Sequence, residues 1–196
     1  MLRKSHTFDI ISFRLTFKIL VMKKMYLLII TGLFLSVMYS SAVGQNEFSS
    51  KTIHIGVVVS DLEESLEFYT EVIGMKQTGS FDVGEDFAEK SGLSNGVPFH
   101  VKVLKLAEGK QSTQFKLMSF GDNSKRQHNE FIQDHTGMQY ITINVKDLSP
   151  FIKRVRQHDV EPRGETPVKL DEKNHFLLLR DPDGTIIELI GPWKDK

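Results

Sequence analysis

Two side chains stand where they could do chemistry that their surroundings do not explain. Glu188 interrupts the apolar run Ile186-Ile187-Glu188-Leu189-Ile190, and a carboxylate buried there is costly unless something pairs with it. His54 opens the run His54-Ile55-Gly56-Val57-Val58-Val59, where an imidazole is either a core residue held by a hydrogen bond or a ligand. Any metal here would have to be held by imidazole, carboxylate or water, ligands suited to Zn, Ni, Fe or Mn. The chain has no cysteine, which excludes disulfides, thiolate nucleophiles and Cys-ligated zinc. It also lacks a Gly-rich phosphate loop and a Gly-x-Ser-x-Gly elbow, so nucleotide transfer and serine hydrolysis find no support. The remaining histidines carry no assignment. His100 alternates with Phe99 and Val101 on a strand of unknown facing, His175 precedes a strand, His128 and His135 lie in a polar stretch, and His158 follows a helix.

The elements that must position these residues repeat. Tyr140-Ile141-Thr142-Ile143-Asn144-Val145-Lys146-Asp147-Leu148 stands 86 residues after His54-Ile55-Gly56-Val57-Val58-Val59-Ser60-Asp61-Leu62, with Ile, Val and Asp-Leu in register. Both copies alternate and are β-branched, the pattern of a strand. A helix follows each. In the first copy Asp61 is the expected N-cap with Glu64 three residues on. Leu62, Leu66, Tyr69 and Ile73 form the apolar face, and Gly74 supplies the stop. In the second, Ser149 before Pro150 is the expected cap, with Phe151, Ile152 and Val155 facing inward. Strands are expected at 99–106 and 113–120, then at 175–180 and 185–190, and Phe115-Lys116-Leu117 aligns with Ile187-Glu188-Leu189. The fold class is therefore α+β. Two βαβββ modules, 51–121 and 137–192, are joined by a linker at 122–136 and curl as a mixed sheet around a pocket.

These residues resemble the vicinal oxygen chelate superfamily, which includes glyoxalase I, extradiol dioxygenases, and the bleomycin and fosfomycin resistance proteins. The likeness rests on the repeat, on Phe68-Tyr69 with Ile73-Gly74-Met75, and on Arg180-Asp181-Pro182-Asp183-Gly184-Thr185 before the last strand. It covers roughly residues 51–192. In that family the first and last strands of each module carry the ligands of a divalent metal, and the repeat maps those positions to His54, Lys116, Tyr140 and Glu188. His54 and Glu188 match the ligand types. Lys116 and Tyr140 do not, since an ammonium offers only donors and repels a cation. The resemblance thus implies a ligand pocket lined by all four residues, with no metal cofactor or at most one held by His54 and Glu188. If the protein is an enzyme, the family implies a lyase or isomerase in which Glu188 and Lys116 are catalytic. If it is not, a sequestering protein like those for bleomycin is implied. A Lys116–Glu188 ion pair in place of the metal is expected, the alternative being a lysine that extends to solvent.

Composition narrows the partners. Net charge is zero overall, but the first 44 residues hold six Lys or Arg against Asp9 alone, which leaves 19 bases and 24 acids from residue 45 onward, a net of −5. Such a balance argues against nucleic acid or an anionic membrane as partner and favours a small molecule. From Met22 a basic start and an apolar run of about a dozen residues lead to Ala42-Val43-Gly44, the order of a secretory signal peptide. Residues 1–44 are accordingly expected to be an upstream extension and signal, 45–50 a short tail and 51–196 the domain, with a periplasmic or secreted product. The run is short for a membrane span, with an uncleaved anchor as the rival. A homodimer is the expectation the family implies.

Overall fold

In the computed structural model, residues 18–31, 47–109, 111–126 and 130–194 are described. The chain divides into two units, Met1–Lys51 and Thr52–Lys196. In the first, residues 18–31 form helix α1, exposed throughout. No helix among the described residues is long and apolar enough to cross a membrane. The expected cleavage site at Ala42-Val43-Gly44 lies outside the described residues.

The second unit holds two four-stranded mixed sheets. Strands β1 (Ile55–Val59), β2 (Lys76–Val83), β3 (Phe99–Lys105) and β4 (Gln114–Ser119) form one, in the order β1-β4-β3-β2. Strands β5 (Tyr140–Asn144), β6 (Val168–Lys169), β7 (His175–Arg180) and β8 (Ile186–Gly191) form the other, in the order β5-β8-β7-β6. The first strand of each module lies parallel to its last, β1 beside β4 and β5 beside β8, and the other pairings are antiparallel. The α+β class and the paired βαβββ modules are thus the observed architecture. Each sheet has one strand that periodicity left unassigned. Strand β2 is exposed along nearly its whole length, so it lacks an alternating apolar signal, and β6 has two residues. The short helix α3 (Glu85–Ser91) is likewise absent from the sequence expectations.

The first crossover helix starts as its cap requires. Asp61 accepts hydrogen bonds from the backbone N–H of Glu63 and Glu64, both at 3.0 Å, and α2 (Leu62–Glu67) begins there. Its continuation over Phe68–Val72 is π-wound rather than α-helical, and Gly74, with φ at 85°, ends it as expected. In the second module the cap differs from expectation. Helix α4 (Ser149–Gln157) is held by Asp147, whose Oδ1 accepts from Ser149 N at 2.9 Å and from Ser149 Oγ at 2.8 Å. Ser149 is therefore a donor. Asp147 occupies the place in the repeat that Asp61 holds in the first copy, but the N-cap position of α4 falls on Leu148, which makes no side-chain cap hydrogen bond.

Alternation divides every strand into two faces. Val59, Phe115, Leu117, Ile143, Leu177, Leu179, Ile187 and Leu189 are buried in one core with Tyr69, Val72, Leu148, Ile152 and Val155 from the two crossover helices. One core thus serves both modules. Its polar seam is the buried hydrogen bond from Tyr69 Oη to Asp181 Oδ2 at 2.7 Å, while Asp181 Oδ1 accepts from the N–H groups of Asp183 and Thr185 at 3.0 and 2.7 Å. Asp183 in turn accepts from Ser60 N at 3.0 Å and from Ser65 Oγ at 3.2 Å. The Asp-Pro-Asp-Gly turn therefore stitches the second module onto the first strand and helix of the first. A satellite core of Val83, Ala88, Phe99, Val101 and Val103, packed by Met118 and Phe120, occupies the opposite face of the first sheet under α3.

Candidate functional site

His54, Lys116, Tyr140 and Glu188 share parity with the residues that point away from the main core. The odd-numbered Ile55, Val57, Val59, Phe115 and Leu117 enter that core, as do Ile141, Ile143, Ile187 and Leu189. Each even-numbered neighbour leaves by the other face. That face continues across β3 through Val101 and Val103, because Val101 pairs with Met118 and Val103 with Lys116. His100 lies on the other side and binds Asp82 through Nδ1 at 2.6 Å, which removes it from the site.

Within each module the register sets the neighbours. Gly56 stands beside Lys116, and His54 lies one rung back, where its Nδ1 accepts the backbone N–H of Gln114 at 3.0 Å. His54 is exposed, so it is not the core histidine of the rival expectation. Lys116 is half-buried and makes no hydrogen bond or ion pair with any described residue. In the second module Thr142 stands beside Glu188, and its Oγ1 donates to Glu188 Oε2 at 2.5 Å. Tyr140 lies one rung back beside Ile186, 45% exposed.

Two expectations are corrected here. The Lys116–Glu188 pair is absent, because Glu188 takes its hydrogen bond from the strand directly beside it while Lys116 belongs to the other sheet. Nor is Glu188 a buried lone carboxylate, since it is half-buried and hydrogen-bonded to Thr142, although its neighbours Ile186 and Ile187 are buried. Thr142 is the residue that the sequence reading missed. Its signal was available: it is the repeat partner of Gly56, and in a parallel first-to-last strand pair it falls opposite Glu188. Gly56 has no such side chain, and a Cβ there would lie 3.0 Å from Met118 Cε, so the methionine would have to shift.

The four positions do not fit a four-ligand metal centre. His54 supplies one imidazole whose Nδ1 is engaged, leaving Nε2 as its only free donor atom, and Glu188 supplies one carboxylate. Lys116 places a cation where a third ligand would have to be. Among the described residues no group of three His, Asp or Glu is placed to hold a metal. The first sheet presents the His54 imidazole and the Lys116 ammonium on this side beside Val58, and the second presents Tyr140 and the Thr142-tethered Glu188 carboxylate, while the cavity between the first strands is lined by Ile53, Ile55, Phe115, Ile141 and Thr142 and by none of the four.

The sequence pattern of the glyoxalase/bleomycin resistance protein/dioxygenase superfamily matches residues 51–189. A lactoylglutathione lyase of Arabidopsis thaliana is 27% identical over 143 residues, which is 71% of this chain and 44% of that protein. The chain thus spans less than half the length of that relative. A glyoxalase family protein from Bacillus cereus superposes with a TM-score of 0.59 at 19% identity, covering 75% of this chain and 96% of the other. Glyoxalase I of Leishmania major, a trypanothione-dependent enzyme, gives 0.53 at 26% identity over 73% and 87% of the two chains. With the family pattern matched across both modules and their paired βαβββ topology in place, the chain belongs to the glyoxalase/bleomycin resistance protein/dioxygenase superfamily, the vicinal oxygen chelate proteins.

Proposed function

We propose that this is an exported glyoxalase-like protein that binds a small organic ligand on the face shared by its two modules, without a four-ligand metal centre. The observation that carries the reading is Lys116, an unpaired ammonium at the second ligand position, on the same face as His54. A cation there opposes a metal and favours a ligand with an anionic or strongly polarised oxygen. Tyr140 adds a ring and a hydroxyl for orientation, and Thr142 fixes the Glu188 carboxylate so that it can receive a hydrogen bond from the ligand. The protein acts as a homodimer in this reading, with the cup completed by a second copy.

The decisive measurement is metal content. Purified protein is expected to carry well under one equivalent of Zn, Ni, Mn or Fe, and its melting temperature to be unchanged by chelators. Lys116→Glu combined with Tyr140→His is expected to bind metal, because it supplies the two missing ligand types beside His54 and Glu188. Stoichiometric metal in the unmodified protein, lost in Glu188→Ala, would overturn the reading.

A second reading is a lyase or isomerase of the glyoxalase I type that uses His54 and Glu188. The short Thr142–Glu188 hydrogen bond favours it, since it orients a carboxylate suited to moving a proton beside a carbonyl. Lys116 would then stabilise the developing oxyanion. Turnover of a glutathione hemithioacetal, abolished by Glu188→Gln, would establish this reading over the first.

A further inference from the structure

Away from the shared face, on the outer side of α4, lies a cavity of about 760 Å³. Lys146, Lys153, Arg156 and Lys194 line it together with Trp193 and Ile152. None of the four cations makes a hydrogen bond or ion pair with a described residue. One carboxylate, Asp147, also lines the cavity, and its Oδ1 already accepts from Ser149. The concentration of charge is local, because the chain from residue 45 onward has a net charge of −5. Four unpaired cations around one concavity repel each other, and a bound anion relieves that repulsion. The half-buried Trp193 meets His175 edge-on, with ring centres 5.4 Å apart, so this contact fixes the indole at the wall of the cavity.

We propose that this basin is a second binding site, separate from the shared face, for a small organic polyanion carrying a planar ring. Arg156 and the three lysines engage its oxyanion groups, and the ring packs on Trp193. The volume suits one small molecule and is far too small for a polymer's backbone track.

Trp193 is the only tryptophan of the chain, so its fluorescence reports on this basin and not on the shared face. Adenosine triphosphate serves as the probe, with tripolyphosphate and adenosine as the anion-only and ring-only controls. Saturable quenching by the triphosphate is expected, weakening as salt rises, with weaker binding of tripolyphosphate and none of adenosine. Lys153→Glu with Arg156→Glu is expected to lower the affinity at least about tenfold. Both positions are exposed and make no ion pair with a described residue, so the melting temperature should hold. Calorimetry on the same pair of proteins gives a readout independent of the indole. Unchanged affinity in the double variant, no saturable binding to the unmodified protein, or equal binding by adenosine overturns the proposal. Tripolyphosphate binding as tightly as the nucleotide overturns the assignment of a ring-bearing ligand.

Discussion

Tyr69 and Asp181 show how one hydrogen bond can hold two modules and tie stability to pH. Burial pushes the Tyr69 hydroxyl well above its ordinary value, and the neighbouring Asp181 charge adds to this. Burial also raises Asp181, against the hydrogen bonds from Tyr69 and Thr185 that lower it. For Tyr69 the sign is direct. Below about pH 10 the phenol is protonated in folded and unfolded chains alike, whereas above it the unfolded chain sheds the proton first. Stability contributed by the neutral phenol is therefore lost as pH rises beyond 10. Tyr69→Phe is expected to cost about 1–3 kcal/mol near neutral pH, because a buried carboxylate oxygen loses its donor. The same variant should flatten the alkaline loss of stability, and denaturant midpoints measured from pH 7 to 11 check both effects. Thr142→Val removes the donor to Glu188 on the open face, where water can replace it. Its cost in stability should be about 1 kcal/mol or less, while ligand affinity, followed by calorimetry once a ligand is in hand, should fall.

At the level of elements, the crossovers are set by two aspartates in equivalent places. Asp61 caps α2, whereas Asp147 holds the turn before α4 through Ser149, with Leu148 at the N-cap position, and Asp61→Ala is expected to cost about 0.5–2 kcal/mol, read as a shifted denaturant midpoint. The end of β8 is tighter still. A Cβ on Gly191 would lie 2.4 Å from the carbonyl oxygen of Val145, on the segment whose N–H bonds Ile190 O at 2.8 Å. Backbone has to move to accommodate it, so Gly191→Ala should destabilise by about 1–3 kcal/mol or more. Gly79→Ala on β2, where a Cβ meets nothing within 4 Å, is the matched control and should stay near neutral. Arg154 locks the same corner, since its Nε and Nη2 donate to the carbonyls of Val72 and Ile73 at 2.8 and 3.2 Å and close the π-wound turn against α4.

For the whole molecule, the shared core explains why the modules behave as one unit over Thr52–Lys196. Side chains from both crossover helices and both sheets interleave in it, so neither module keeps its apolar surface dry alone. Unfolding should follow a single cooperative transition by circular dichroism and by Trp193 fluorescence, and coincident curves would establish it. Val58, Met138 and Tyr140 are exposed, and in the proposed homodimer a second copy covers apolar surface of this kind. Light scattering is expected to give a dimer. A concentration-independent monomer would mean that one chain suffices for the ligand. N-terminal sequencing of protein from its native host is expected to begin within a few residues of Gln45, and a product retaining Met25–Val37 would favour an anchor.

Periodicity and the repeat were sufficient to read the strands at 99–106, found one residue shorter, and at 175–180, the parity that puts His54, Lys116, Tyr140 and Glu188 on the same side of their respective sheets, and the departure of Lys116 from a ligand's chemistry. These are local properties: alternation fixes the face of a side chain before any partner is known. Which partner each side chain meets belongs to register and to module docking, and neither is written in a single strand. Glu188 looked as if it needed Lys116 until the parallel register of β5 on β8 put Thr142 beside it. Ser149 has a cap's side chain, but the turn geometry puts Leu148 at the N-cap and makes Ser149 the donor to Asp147. The Asp-Pro-Asp-Gly turn is legible as a mark of the resemblance, but not as a contact between modules. Only folding brought Asp181 to Tyr69, 112 residues away in sequence, where the dry interior makes an unpaired carboxylate costly and a donor from the other module decisive.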